Sequence, residues 1–170
     1  LAWSRGLGDV YKRQGLWIVS GIILQILLEY LSQGTEHGHS HIKSNEYLPW
    51  ILFLSLCLHA FIEGLPLGHE SSLVWGIFIH KIPIGMVLFY MIWDTKSTKT
   101  LKITVLFIFA IMSPLGSITL EYNHSLQNYQ TQITAIVMGM LLHISTTILF
   151  ESNQGHAFNI RKLLSILLAF

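Results

Sequence analysis

The sequence predicts an all-α protein, a polytopic transmembrane helix bundle of about five spans plus the start of another. The chain is 52% hydrophobic and only 11% charged, whereas soluble domains carry about 25% charged residues. Its apolar segments approach the roughly 20 residues that a helix needs to cross a bilayer. In lipid such segments must be helical, because no water is present to satisfy open backbone groups. Buried helices of a soluble protein are the alternative, and the short connection 69–72 between two long apolar runs argues against them.

The first element is a polar stretch followed by a short apolar one. Leu1–Gln14 is too polar for a span and lacks the apolar core of a signal peptide. It resembles a translated vector or assembly scar, so we predict a non-native leader over 1–14 and a partial transmembrane domain over 15–170. The first span, about Gly15–Leu31, is the shortest and carries Gln25 and Glu29.

Four further apolar segments follow, and another begins at the end of the chain. The predicted spans are Leu48–Gly68, Leu73–Trp93, Leu101–Leu120 and Ile133–Phe150. Leu163–Phe170 is apolar but too short to cross a bilayer. We therefore expect the chain to end inside a further span.

The basic residues of the connecting segments predict the orientation of these spans. They are Lys43 after span one, Lys96, Lys99 and Lys102 after span three, and Arg161 and Lys162 after span five. The connections 69–72 and 121–132 carry no Lys or Arg. Because cytoplasmic loops are enriched in Lys and Arg, we predict that 33–47, 94–100 and 152–162 face the cytoplasm.

Polar residues inside spans are candidates for function, because a central charged residue costs about 2.5–3.5 kcal/mol on insertion scales. Span two holds His59 and Glu63, which are about 40° apart around a helix and therefore share one face. Span three holds His80 and Lys81, followed by Pro83. Imidazole and carboxylate together suit a borderline divalent cation such as Zn²⁺. Alternatively, His59 and Glu63 only hydrogen-bond each other, although the second polar pair across a short hairpin weakens that interpretation.

These residues lie in two motifs that resemble a known family. His59–Gly68 has the sequence HAFIEGLPLG, and His80–Gly85 has the sequence HKIPIG. They resemble the fourth-span and fifth-span motifs of the ZIP (Zrt/Irt-like) metal transporters. The resemblance covers the family's third span to the start of its eighth, and it implies that His59, Glu63 and His80 are the metal ligands.

The chain departs from the family pattern at three positions. Many members have Asn where this chain has Ala60, a carboxylate where it has Lys81, and Glu or His where it has Ile84. The first two positions concern a second metal in two-metal members, so the Lys81 ammonium would substitute for that cation. Ile84 costs the first metal a ligand, which water or a residue of another span would have to replace.

Other histidines and one glutamate are possible accessory residues. His37, His39 and His41 alternate in the His-rich loop, which is either a flexible metal-catching segment or a solvated polar loop. His143 lies within span five and Glu151 closes it. Either residue could line the pore, and a satisfied helix contact is the alternative for His143.

The resemblance implies transmembrane transport of divalent metal ions, with zinc uptake towards the cytoplasm as the leading prediction. Fe²⁺ and Mn²⁺ are not distinguished from Zn²⁺. The alternatives are a metal-binding receptor or sensor of the same family and a membrane metalloenzyme, which would need denser His and carboxylate clusters. A net charge of +1 gives no reason to expect a nucleic-acid partner. We predict no enzymatic activity and a multi-pass protein of the cell (inner) membrane, and a homodimer is left open.

Overall fold

The computed structural model describes residues 2–32, 50–68 and 71–151, and this part of the chain contains helices and turns but no strand. The helices are α1 (Ala2–Ser32), α2 (Trp50–Gly64), α3 (Ser71–Trp93), α4 (Lys99–Tyr122), α5 (His124–Gln127) and α6 (Gln130–Glu151). The predicted all-α class is therefore confirmed.

Most of the predicted spans correspond to long apolar helices. Within the described residues, four helical segments are long and apolar enough to cross a membrane: Gln14–Ser32, Trp50–Gly68, Leu73–Trp93 and Lys99–Tyr122. Helix α6 has 22 residues and so extends about 33 Å at 1.5 Å per residue. Its role as a span remains a prediction, and the segments 33–47 and 152–170 lie outside the described residues.

Two helix boundaries differ from the predicted spans. Helix α1 begins at Ala2, so the stretch predicted to be a leader continues as helix into the first span. That this stretch is non-native remains a prediction. Helix α2 ends at Gly64, and the chain continues through a 3-10 turn, Leu65–Gly68, in which Pro66 is buried. Pro66 lacks the backbone N–H that a continuing α-helix would use, which favours the change at this point.

Helices α1 and α6 pack closely through glycines. A Cβ atom at Gly21 would meet the backbone of Ile136, and one at Gly139 would meet the backbone of Ile18. Small residues allow the backbones of membrane helices to approach in this way. The first and last described helices therefore form one tightly packed pair.

Helices α2 and α4 form a second close pair. A Cβ atom at Gly64 would meet the backbone of Ser113, and one at Gly116 would meet the carbonyl of Phe61. The main core cluster lies beside this contact and draws on α2, α3 and α4. Its buried members are Leu52, Phe53, Leu56, Cys57, Ala60, Ile84, Leu88, Ile92, Val105 and Phe109.

The outer surface of the bundle is strongly apolar. Helix α3 shows this best, because Trp75, Phe78, Ile79, Met86 and Tyr90 are all exposed. Exposed apolar surface on this scale is rare on soluble monomers. It fits a bundle whose outer face contacts lipid, or further helices within lipid.

Candidate metal centre

Helix α2 presents two polar side chains from one face into the protein interior. His59 and Glu63 are both fully buried, at 0% exposure. The helical spacing places them one turn apart, with His59 Nε2 at 3.2 Å from Glu63 Oε1. The predicted pairing of these two residues across one turn is thus present.

Helix α3 brings a second imidazole to the same carboxylate oxygen. His80 Nε2 lies 3.8 Å from Glu63 Oε1, and the rings of His59 and His80 meet edge to face with centroids 5.7 Å apart. Each of the three residues offers one ligand atom, and these atoms lie within 4.8 Å of one another. A tetrahedral zinc site with bonds of about 2.0–2.1 Å separates its ligand atoms by roughly 3.4 Å. Small side-chain adjustments would therefore bring all three ligand atoms onto one ion.

The other oxygen of Glu63 faces a lysine. Lys81 Nζ lies 3.8 Å from Glu63 Oε2 and donates to the carbonyl of Ala60 at 3.3 Å. It also hydrogen-bonds to Ser113 Oγ of α4, and that hydroxyl donates to the Ala60 carbonyl at 2.9 Å. The ammonium is therefore held between α2 and α4, beside the carboxylate. Lys81 is thus an internal cation beside Glu63, and its substitution for a second metal ion remains a prediction.

A residue of α1 that the sequence did not assign also reaches this centre. Gln25 is fully buried, and its Oε1 lies 3.0 Å from His59 Nδ1. The signal was present in the sequence, since Gln25 and Glu29 have the same i, i+4 spacing as His59 and Glu63. Treating every polar residue of the first span as a functional candidate would have found it.

The predicted accessory residues are placed elsewhere or lie outside the described residues. His143 Nε2 meets Glu29 Oε2 at 2.9 Å across the contact between α1 and α6, with Thr147 Oγ1 at 3.5 Å. Among the described residues, the group that could hold a metal ion contains His59, Glu63 and His80 but not His143. This contact is of the kind given as the alternative for His143, and a role of His143 in the pore remains a prediction.

Ile84, Glu151 and the loop histidines are the remaining positions that the sequence analysis singled out. Ile84 is buried in the core and provides no ligand atom. Glu151 ends α6, and its side chain lies outside the described part of the chain. The loop histidines His37, His39 and His41 also lie outside it. Their accessory roles remain predictions.

Comparisons with known proteins agree with the motifs. A family model described as the ZIP zinc transporter matches residues 28–170. The chain is 35% identical over 105 residues to protein zntD of Dictyostelium discoideum, covering 51% of this chain and 15% of that relative. The chain therefore spans a small part of the length of this curated relative. No solved structure matches the chain.

Proposed function

The chain belongs to the ZIP zinc transporter family, and from this premise we propose that it carries divalent metal ions, foremost zinc, across a membrane towards the cytoplasm. The observation that carries the proposal is the buried group formed by His59, Glu63 and His80. Two imidazoles and one carboxylate are ligands that Zn²⁺ favours. Iron(II) and manganese(II) are the further substrates to be tested against zinc.

A hydrogen bond within α2 alone does not account for this group. If His59 and Glu63 were only partners of each other, no second imidazole would be needed beside the same oxygen. His80 comes from a different helix and lies 3.8 Å from that oxygen. Ligand atoms from two helices thus lie within 4.8 Å of one another, which is close enough for them to surround one ion.

The proposed ligand set suits a transport site, which must release its ion as well as bind it. Three protein ligands leave at least one coordination position for water, as in open zinc sites. The buried Ile84 offers no further ligand at a position where many family members have one. Conduction needs binding that is favourable enough to admit the ion and weak enough to release it.

We expect the purified full-length protein, reconstituted into liposomes that contain a zinc-sensitive dye, to give saturable zinc influx. Liposomes without protein are the control, and competition by Fe²⁺ and Mn²⁺ ranks the substrates. A carrier accumulates zinc inside the vesicle, whereas a receptor or sensor binds zinc without moving it. Saturable zinc binding with no influx would therefore replace the transport proposal by the receptor alternative.

The direction proposed for transport depends on which loops face the cytoplasm. Cysteines replacing Ser97, between α3 and α4, and Asn128, between α5 and α6, test this in intact cells. We expect an impermeant thiol reagent to label Asn128→Cys and not Ser97→Cys, because the basic residues lie in the Ser97 loop and in the alternate loops 33–47 and 152–162, whereas 121–132 has no Lys or Arg. The natural Cys57 is buried and should give little background. The reverse labelling pattern would show that the orientation is inverted.

A further inference from the structure

Within the described residues, the side-chain amide of Gln25 connects α1 to one of the proposed metal ligands, His59. On α1, its neighbours Ile26 and Leu27 are exposed, whereas Gln25 points inward and is fully buried. A buried amide without a hydrogen bond costs several kcal/mol in an apolar setting. The 3.0 Å contact with His59 Nδ1 satisfies the amide oxygen, so the two side chains stabilise each other's position.

This contact determines which nitrogen of His59 carries the proton. An amide oxygen can only accept a hydrogen bond, so His59 Nδ1 must carry the proton and donate. Nε2 of the neutral ring then keeps its lone pair, and it is Nε2 that faces Glu63 Oε1 at 3.2 Å. If the amide nitrogen faced the ring instead, Nδ1 would accept and Nε2 would hold the proton, leaving no lone pair for a metal.

We propose that Gln25 is a positioning residue of the metal centre, which fixes the tautomer and the ring orientation of His59. The inference rests on the proposed function and adds α1 to a site otherwise built from α2 and α3. Metal-ligating histidines commonly donate their second N–H to an acceptor of this kind, and loss of that acceptor typically costs about 10–100-fold in metal affinity. Gln25 thereby makes the affinity of the centre depend on the packing of α1 against α2.

The chain offers a matched control for this contact. Ser55 Oγ donates to the carbonyl of Leu28 at 2.8 Å, which is a second buried hydrogen bond between α2 and α1. Ser55→Ala removes an interhelical bond between the same two helices without removing a partner of His59. A role of Gln25 in helix packing alone would make Ser55→Ala and Gln25→Leu similar in their effect on zinc.

The test is zinc affinity of the full-length protein in lipid nanodiscs. We expect Gln25→Leu to weaken zinc binding by about 10–100-fold. Gln25→Glu keeps an acceptor oxygen at the same reach and should stay within a few-fold of the parent protein, as should Ser55→Ala. If Gln25→Leu does not fold, Gln25→Met takes its place, because it keeps the length of the side chain. In the parent protein, ¹⁵N spectra of the histidine rings should show His59 protonated at Nδ1.

Four outcomes would overturn the inference. They are parent-like affinity in Gln25→Leu, equal weakening in Gln25→Leu and Ser55→Ala, weakening in Gln25→Glu as large as in Gln25→Leu, and a parent His59 protonated at Nε2 alone. Failure of the proposed function looks different. In that case His59→Ala itself would bind zinc with the affinity of the parent protein.

Discussion

Alanine at His59, Glu63 or His80 is expected to lower zinc uptake by more than about 100-fold, since loss of an outer-shell partner alone already costs about 10–100-fold. Each change removes one of the three ligand atoms that the described residues bring together. Glu63→Gln should be among the most damaging, because it preserves the shape of the side chain but removes the carboxylate charge that compensates the dication. Initial rates of labelled zinc uptake by the full-length protein, normalised to the amount of protein in the membrane, measure these effects.

His124→Ala is the matched control for the histidine variants. His124 lies on the exposed helix α5, where its Nδ1 meets Gln127 Oε1 at 3.3 Å. Its replacement should leave uptake at the parent rate. If any two of the His59, Glu63 and His80 variants also transport at the parent rate, the site lies elsewhere. His143 with Glu151 then becomes the next candidate, and His143→Ala is the first variant to examine.

The sequence was sufficient to predict the pairs whose geometry is local. His59 and Glu63 share a helix face because of their spacing, and the 3.2 Å between His59 Nε2 and Glu63 Oε1 agrees with that prediction. His80 follows after a short connection, so antiparallel packing of α2 and α3 could be expected to bring it alongside. The fold class followed from apolar segment lengths, because the bilayer leaves few alternatives to helices.

Contacts between helices distant in sequence could not be predicted in the same way. Gln25 contacts His59, and Glu29 contacts His143, because of the rotation and the axial position of α1 relative to α2 and α6. That packing is set by glycine contacts such as Gly21 against the backbone of Ile136. Periodicity within one helix identifies an inward face but does not identify which partner helix lies against it.

The end of α2 could not be predicted from hydropathy. A continuous apolar run predicted one helix to Gly68, but α2 ends at Gly64 and a 3-10 turn follows. Hydropathy reports only whether the residues of a segment are apolar. It does not distinguish an α-helix from a 3-10 turn built from the same apolar residues. The presence of Pro66 was the available local signal for the change.

Lys81 places a positive charge beside the proposed metal position. Glu63 directs Oε1 towards the two histidines and Oε2 towards Lys81 Nζ at 3.8 Å. One carboxylate is thereby shared between the proposed metal position and the ammonium, as a bridging carboxylate is shared between two metals. Lys81 is also anchored by the Ala60 carbonyl at 3.3 Å. Its positive charge therefore has a fixed place beside the centre, which a second cation could occupy only if Lys81 were replaced.

Lys81→Ala is expected to lower zinc uptake by at least about 10-fold, because it leaves the buried Glu63 carboxylate without its second cation, and losing one partner of a buried ion pair lowers folding stability by about 3–5 kcal/mol. Lys81→Glu should raise the zinc content from one ion to two per chain, since it places a second carboxylate beside Glu63 Oε2, or it should fail to fold.

Lys102→Ala is the control, because Lys102 also donates to a backbone carbonyl, that of Trp93 at 2.7 Å, but lies away from the centre. Metal content by mass spectrometry and uptake by the reconstituted protein measure both effects. Unchanged uptake together with an unchanged zinc content in both Lys81 variants would show that Lys81 does not take the place of a second metal ion.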